Sequence, residues 1–143
     1  MDPSAPSLLI MKNLFRALWM CSLGWLLACG ATARANVDTA LLGTPAGSIA
    51  VPMNLTVPEV QQALLKAADG RGWVLVSRED DKIVVRLERS DWSARIAMVY
   101  NAREVQYFSN STRKGKPKLP EGWIKYLKED STRIMSATSV LKN

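Results

Sequence analysis

The chain of 143 residues contains no histidine. That removes the usual general base near neutral pH and the commonest zinc ligand. Cysteine is nearly absent as well: Cys21 and Cys29 are the two, and both precede the part that reads as a folded domain. Small exported domains often use disulfides to supplement a small core. None is available here, so burial must suffice. Neither a G-x-S-x-G elbow nor a phosphate-cradling glycine loop occurs. The apolar run from Ala17 to Leu27 falls short of the ~20 residues that a membrane-spanning helix needs.

That run does suit an export signal, whose apolar region needs only ~7–15 residues. Met11, Lys12 and Arg16 supply a positively charged start, and small residues follow the run. Residues 1–10 look unlike such a start and read as an extension ahead of Met11. Two cleavage readings fit. In the first, Leu26-Leu27-Ala28-Cys29 resembles the lipobox of bacterial lipoproteins, with Cys29 acylated and made the new N-terminus. In the second, Ala33-Arg34-Ala35 is an A-x-A site and the mature chain begins at Asn36. The first is preferred because Cys29 sits right at the end of the apolar run. Cys29 is then a lipid anchor, not a redox centre. Both readings place the protein in the bacterial cell envelope, in the periplasm or on the periplasmic face of the outer membrane.

Basic residues prevail, with 19 Lys+Arg against 13 Asp+Glu and a net charge of +6. Loss of residues 1–35 leaves a mildly basic chain. A nucleic-acid binder concentrates more charge on one face, and an exported location argues further against that partner. The remaining length suits one small domain.

Residues 36–54 read as a linker, rich in small residues such as Gly43-Thr44-Pro45-Ala46-Gly47-Ser48, with Ile49-Ala50-Val51 as a short edge strand. The domain follows over residues 55–138, with residues 139–143 as a tail. Thr56 and Glu59 have capping-box spacing, and Pro58 falls in the first turn of the helix they open. Val57, Val60, Leu64, Ala67 and Ala68 give it one apolar face. Gly70 and Gly72 stop it, since glycine tolerates the left-handed conformation past a helix end. Trp73 to Ser77 predicts a strand. In the next two strands Ile83, Val85 and Leu87, then Ala94, Ile96, Met98 and Tyr100, alternate with more polar neighbours. Glu104 to Ser109 is a fourth. Short connections favour antiparallel neighbours. Ser109 to Pro120 reads as a polar loop. Pro120 then suits the first turn of a second helix, carrying Trp123, Ile124, Leu127, Ile134 and Met135 and ending near Ala137. The expected fold is α+β in two layers: a four-stranded antiparallel meander with both helices on one face, in the order α-β-β-β-β-α. Trp123, Leu127 and Leu64 are expected in a shared core.

Glu79-Asp80-Asp81 is the densest acidic cluster. It lies in a tight turn between Arg78 and Lys82 and reads as a solvated hairpin rather than a cation site. Arg113, Lys114, Lys116 and Lys118 form the densest basic run, a solvated loop by its composition and a contact for anionic lipid or wall polymer if it acts at all. Trp73, Trp92, Tyr100, Tyr107, Trp123 and Tyr126 are expected mainly in the core, with Trp92 partly exposed at a turn. No catalytic residue, metal or cofactor is expected. The domain reads as a lipid-tethered binding or structural module for an envelope protein or wall polymer. The alternative is a small envelope enzyme using carboxylate or serine chemistry.

Three motifs resemble a group of small exported bacterial proteins of unknown function, many labelled lipoproteins. They are Arg71-Gly72-Trp73, Tyr107 to Ser111, and Trp123-x-x-x-Leu127-x-x-Asp130. The resemblance runs from about Val51 to Ala137 and implies a helix, four antiparallel strands and a helix. The chain departs from that group in two places. Arg113 to Pro120 replaces a loop that usually holds an aromatic residue and a histidine, and Ser131 replaces an isoleucine.

Overall fold

The computed structural model describes residues 42–143. The export signal, Cys29, both cleavage sites and residues 36–41 lie outside them. Among the described residues no helix is long and apolar enough to cross a membrane.

The chain is α+β, with a mostly antiparallel sheet and two helices. The first strand, β1 (Thr44–Ala50), lies where a linker is expected. It is a strand because it pairs with a distant partner: Ile49 stands opposite Val105, and Ser48 opposite Gln106. Gly, Pro and Ser in the segment signal turns locally, and a bulge between Pro45 and Ser48 absorbs them.

Helix α1 (Val57–Asp69) begins as its spacing predicts. The Glu59 carboxylate accepts from the Thr56 N–H at 2.7 Å and from Thr56 Oγ1 at 2.8 Å. Val60, Ala63, Leu64, Ala67 and Ala68 are buried along one stripe. Of the two glycines that follow, Gly70 stays right-handed at φ −60°, and Gly72 alone takes the left-handed conformation at φ +76°. The Trp73 N–H then returns to the Ala68 carbonyl at 3.0 Å, which seats the Trp73 ring in the core.

A meander follows: β2 (Val74–Arg78), β3 (Lys82–Arg89), β4 (Trp92–Tyr100) and β5 (Glu104–Ser109). Two short strands, β6 (Thr112–Arg113) and β7 (Lys116–Pro117), replace the expected polar loop. The sheet runs β1-β5-β4-β3-β2, with β6 added to the start of β4 and β7 to β6. It therefore has more strands than the four expected. Strand β2 forms an edge, and its Val74, Leu75 and Val76 are all exposed.

Helix α2 (Glu121–Val140) carries Ile124, Leu127, Ser131 and Met135 inward. Pro120 is its N-cap rather than part of its first turn. The helix runs past Ala137, and its end is tied down. Asn54 Nδ2 donates to the Ser139 carbonyl at 2.9 Å, and Lys142 Nζ lies 2.9 Å from Glu59. The expected tail of residues 139–143 is thus part of the domain, bound to the start of α1.

One cluster joins the inner stripes of α1 and α2 to Ile83, Val85, Ala94, Ile96, Met98, Tyr100, Val105 and Tyr107 of the sheet. Trp123 packs at its rim, half-buried, not inside it as expected. Tyr107 Oη is buried and has no hydrogen-bond partner among the described residues. Ser131, buried on α2, donates to the Leu127 carbonyl at 2.7 Å. Strict alternation fails on the other sheet face. Val84, Ala97 and Phe108 form a second small cluster there, against which Leu42 and Val99 pack.

Candidate functional site

At the end of the sheet where β3 turns into β4, the domain's three tryptophans meet. Trp123, in the first turns of α2, stands edge-on to Trp73 with ring centroids 6.3 Å apart and an interplanar angle of 87°. On its other side Trp92, the first residue of β4, lies 5.5 Å away and tilted by 49°. The rings come from three separate elements, so only the fold brings them together.

A hollow of about 230 Å³ opens beside them, lined by Arg71, Trp73, Leu87, Arg89, Trp123 and Tyr126. Arg71 follows the end of α1 and stacks over the Tyr126 ring, 4.9 Å from its centroid. Its Nε also bonds Asp130 at 2.5 Å, and Arg133 reaches the same carboxylate at 3.3 Å. Arg71, and after it Arg133, hold the Asp130 carboxyl below the usual carboxylate range; the Arg71 guanidinium is pushed up in return. Arg89 has no ion-pair partner among the described residues. Tyr126 is 48% exposed, so it is a wall of the hollow and not the core residue expected.

The basic run sits next to this hollow. Lys114 and Gly115 have φ of +51° and +74°, the doubly positive pair that a two-residue hairpin turn of the I′ kind demands. The expected loop is therefore a tight β6–β7 hairpin. Arg113 stacks over Trp92, 5.5 Å from the ring centroid, and its Nε bonds Asp91 at 2.9 Å. The Lys114 N–H donates to the Asp91 carbonyl at 2.7 Å. Lys116 faces Arg113 across the hairpin, and Lys118 follows β7; all four basic side chains are exposed. Of the residues singled out in the sequence, the fold therefore gathers Trp73, Trp92, Trp123, Tyr126, Arg113, Lys114 and Lys116 at one end. Tyr100 and Tyr107 go to the core instead.

Arg89 is the residue that sequence reasoning missed; Arg71 stood in the Arg71-Gly72-Trp73 motif with no role assigned to it. Arg89 carried a signal. It falls on the same parity as Ile83, Val85 and Leu87, so a charged group stands on the apolar side of β3.

The acidic cluster behaves as an ordinary turn. Glu79 pairs with Lys82 at 2.9 Å, and Gln61 Nε2 caps the Glu79 carbonyl at 2.9 Å. No group of three or more cysteine, aspartate or glutamate side chains converges as metal ligands would among the described residues. Two S-x-x-K spacings, Ser111 to Lys114 and Ser139 to Lys142, do not form serine–lysine pairs. Ser111 Oγ bonds the Arg95 N–H at 3.0 Å and Ser109 Oγ at 2.7 Å, and Ser139 Oγ donates to Asn54. The Glu59 carboxyl is pushed down to about 2 by Lys142 and by the Thr56 N–H and hydroxyl. Glu59 and Asp130 are thus held ionised, the opposite of what a general acid requires. No protein-family model matches the chain, and no curated protein matches it.

Proposed function

We propose that this chain is an exported bacterial envelope protein, tethered by a lipid on Cys29, whose domain is a non-catalytic binding module. It would stand with the small exported proteins that its R-G-W and W-x-x-x-L-x-x-D motifs resemble. The observation that carries the reading is the convergence of three tryptophans, Tyr126, Arg71, Arg89 and the basic hairpin at one end of the domain. Aromatic rings and guanidinium groups recur where proteins bind other molecules. The exposed hairpin cations Arg113, Lys114, Lys116 and Lys118 suit an anionic partner. Partners of that kind, wall polymer or anionic headgroups, lie within reach of a membrane-tethered domain.

Two measurements test the proposal. Intact mass of the envelope-extracted protein should give an acylated chain starting at Cys29; an unmodified chain starting at Asn36 would remove the tether. Cosedimentation with isolated cell wall should be strong at low salt and weak at high salt, because contacts beyond ~8 Å are screened at physiological ionic strength. Retention that survives changing all four hairpin cations to serine would remove the hairpin from the contact.

A further inference from the structure

We propose that the tryptophan–arginine hollow binds one carboxylate-bearing sugar ring of an acidic glycan, with Arg89 as the carboxylate contact. The proposal deepens the binding-module reading and rests on it. It starts from size. A cavity of ~150 Å³ accepts benzene, and drug-sized ligands need ~300 Å³ or more. The hollow, at about 230 Å³, accommodates a single ring with a substituent. Its accessible walls are the rings of Trp123 and Tyr126, against which the C–H face of a pyranose packs, with the buried Trp73 ring behind them. Its charge comes from two guanidinium groups. Arg71 is already engaged by Asp130, whereas Arg89 is exposed and free of any ion pair among the described residues. A guanidinium offers a planar fork that matches a carboxylate.

The register of the sheet extends the site beyond one ring. Arg89 pairs across the strands with Trp92, Trp92 with Arg113, and Arg113 with Lys116. Residues directly opposite share a face, so these four form one row across β3, β4, β6 and β7. At ~4.8 Å per strand the row spans ~14 Å, and Arg89 and Arg113 stand ~10 Å apart. Asp91 is the acidic group beside the row, and it is bound to Arg113. A lone aromatic acid would fill the hollow and leave the rest of the row idle. A polymer with an acidic group on each unit engages both. The tryptophan rings also argue against a run of stacked bases. Trp73 is perpendicular to Trp123, and Trp92, which stands outside the hollow's lining, is tilted, so the three do not present successive parallel faces.

The test is calorimetric titration of the full-length protein with tetragalacturonate, its fully methyl-esterified form, benzoate and single-stranded oligothymidylate. Tetragalacturonate should bind, and the ester and benzoate should bind at least about 10-fold more weakly. Arg89→Gln should lower affinity for tetragalacturonate by about 10- to 100-fold, the range for a lost charge-assisted contact. Arg89→Lys should recover part of it. Arg103→Gln, at the far end of the sheet, should change nothing. Circular dichroism of each variant keeps a folding defect distinct from a lost contact. No binding of tetragalacturonate at low salt overturns the proposal, as does equal binding of the ester. Oligothymidylate binding as tightly, with the same dependence on Arg89, overturns it in favour of nucleic acid. The titration uses purified protein, so it is independent of where the protein resides. A protein found uncleaved in the cytoplasm that still binds tetragalacturonate defeats the envelope reading alone.

Discussion

Tyr107→Phe is expected to stabilise the domain by about 1 kcal/mol. The Tyr107 hydroxyl is buried and has no hydrogen-bond partner among the described residues. A buried polar group without a partner costs ~1–3 kcal/mol. Removing the oxygen leaves a gap of at most ~10–15 Å³, which at ~24 cal/mol per Å³ costs ~0.3 kcal/mol. The net gain corresponds to a rise in Tm of about 4–8 °C for a domain of this size. Urea unfolding provides the assay: the midpoint should rise with an unchanged m-value. The coupling between Tyr107→Phe and Ser131→Ala should stay below ~0.5 kcal/mol. A midpoint that falls, together with a larger coupling, would show that the hydroxyl is bonded to Ser131 and that the reasoning is wrong. The same burial pushes the Tyr107 phenol far above its ordinary value of about 10. The folded state then keeps this proton while the unfolded chain loses it. Stability should be complete below pH ~10 and fall as pH rises past it, and Tyr107→Phe should blunt that alkaline loss.

Glu59→Gln tests the opposite pH edge. The Glu59 carboxyl is depressed to about 2 in the fold from 4.5, so its contribution is present above about 4.5 and lost as pH falls toward 2. The Tm difference between wild type and variant should be clear at pH 6 and vanish near pH 2; a constant difference would deny the linkage. Trp123→Ala should cost about 2–3 kcal/mol in urea unfolding, less than the ~3–5 of a fully buried tryptophan, because Trp123 sits at the rim of the core. A loss below ~1 kcal/mol would deny its packing against Trp73 and Trp92. Lys114→Asn should raise stability by about 0.5–1 kcal/mol, since asparagine tolerates a positive φ better than lysine. A lowered urea midpoint would refute the hairpin geometry.

The sequence shows best what is local. Capping-box spacing located α1, and alternation located β3, β4 and β5, because those signals depend on residues within one element. Strand β1 escaped because its pairing partner, β5, is remote in the chain, and its own glycines and proline speak for turns. The β6–β7 hairpin escaped because Lys114 stands where a turn residue such as asparagine is typical. Val84 and Ala97 read as a polar-side pair because alternation cannot show that a second apolar patch covers part of the far face. The candidate site was half legible. The tryptophans and the basic run were visible as types of residue, but their meeting required the register of Arg89, Trp92 and Arg113 across three strands.

The strand order bears on the sequence of folding events. The β2–β5 meander joins neighbours in the chain and closes only short loops, so it can form early and fast. Its two flanks cannot. Strand β1 must wait for β5, and the apolar stripe of α1 must wait for α2, whose end is latched back to Asn54 and Glu59. Until the last helix is in place, the first helix lacks one of the two surfaces that cover its apolar stripe. Completion of the fold is therefore a late, long-range event governed by the C-terminus. A chain emerging N-terminus first would stay open, with α1 uncovered, until Ser139 and Lys142 have arrived.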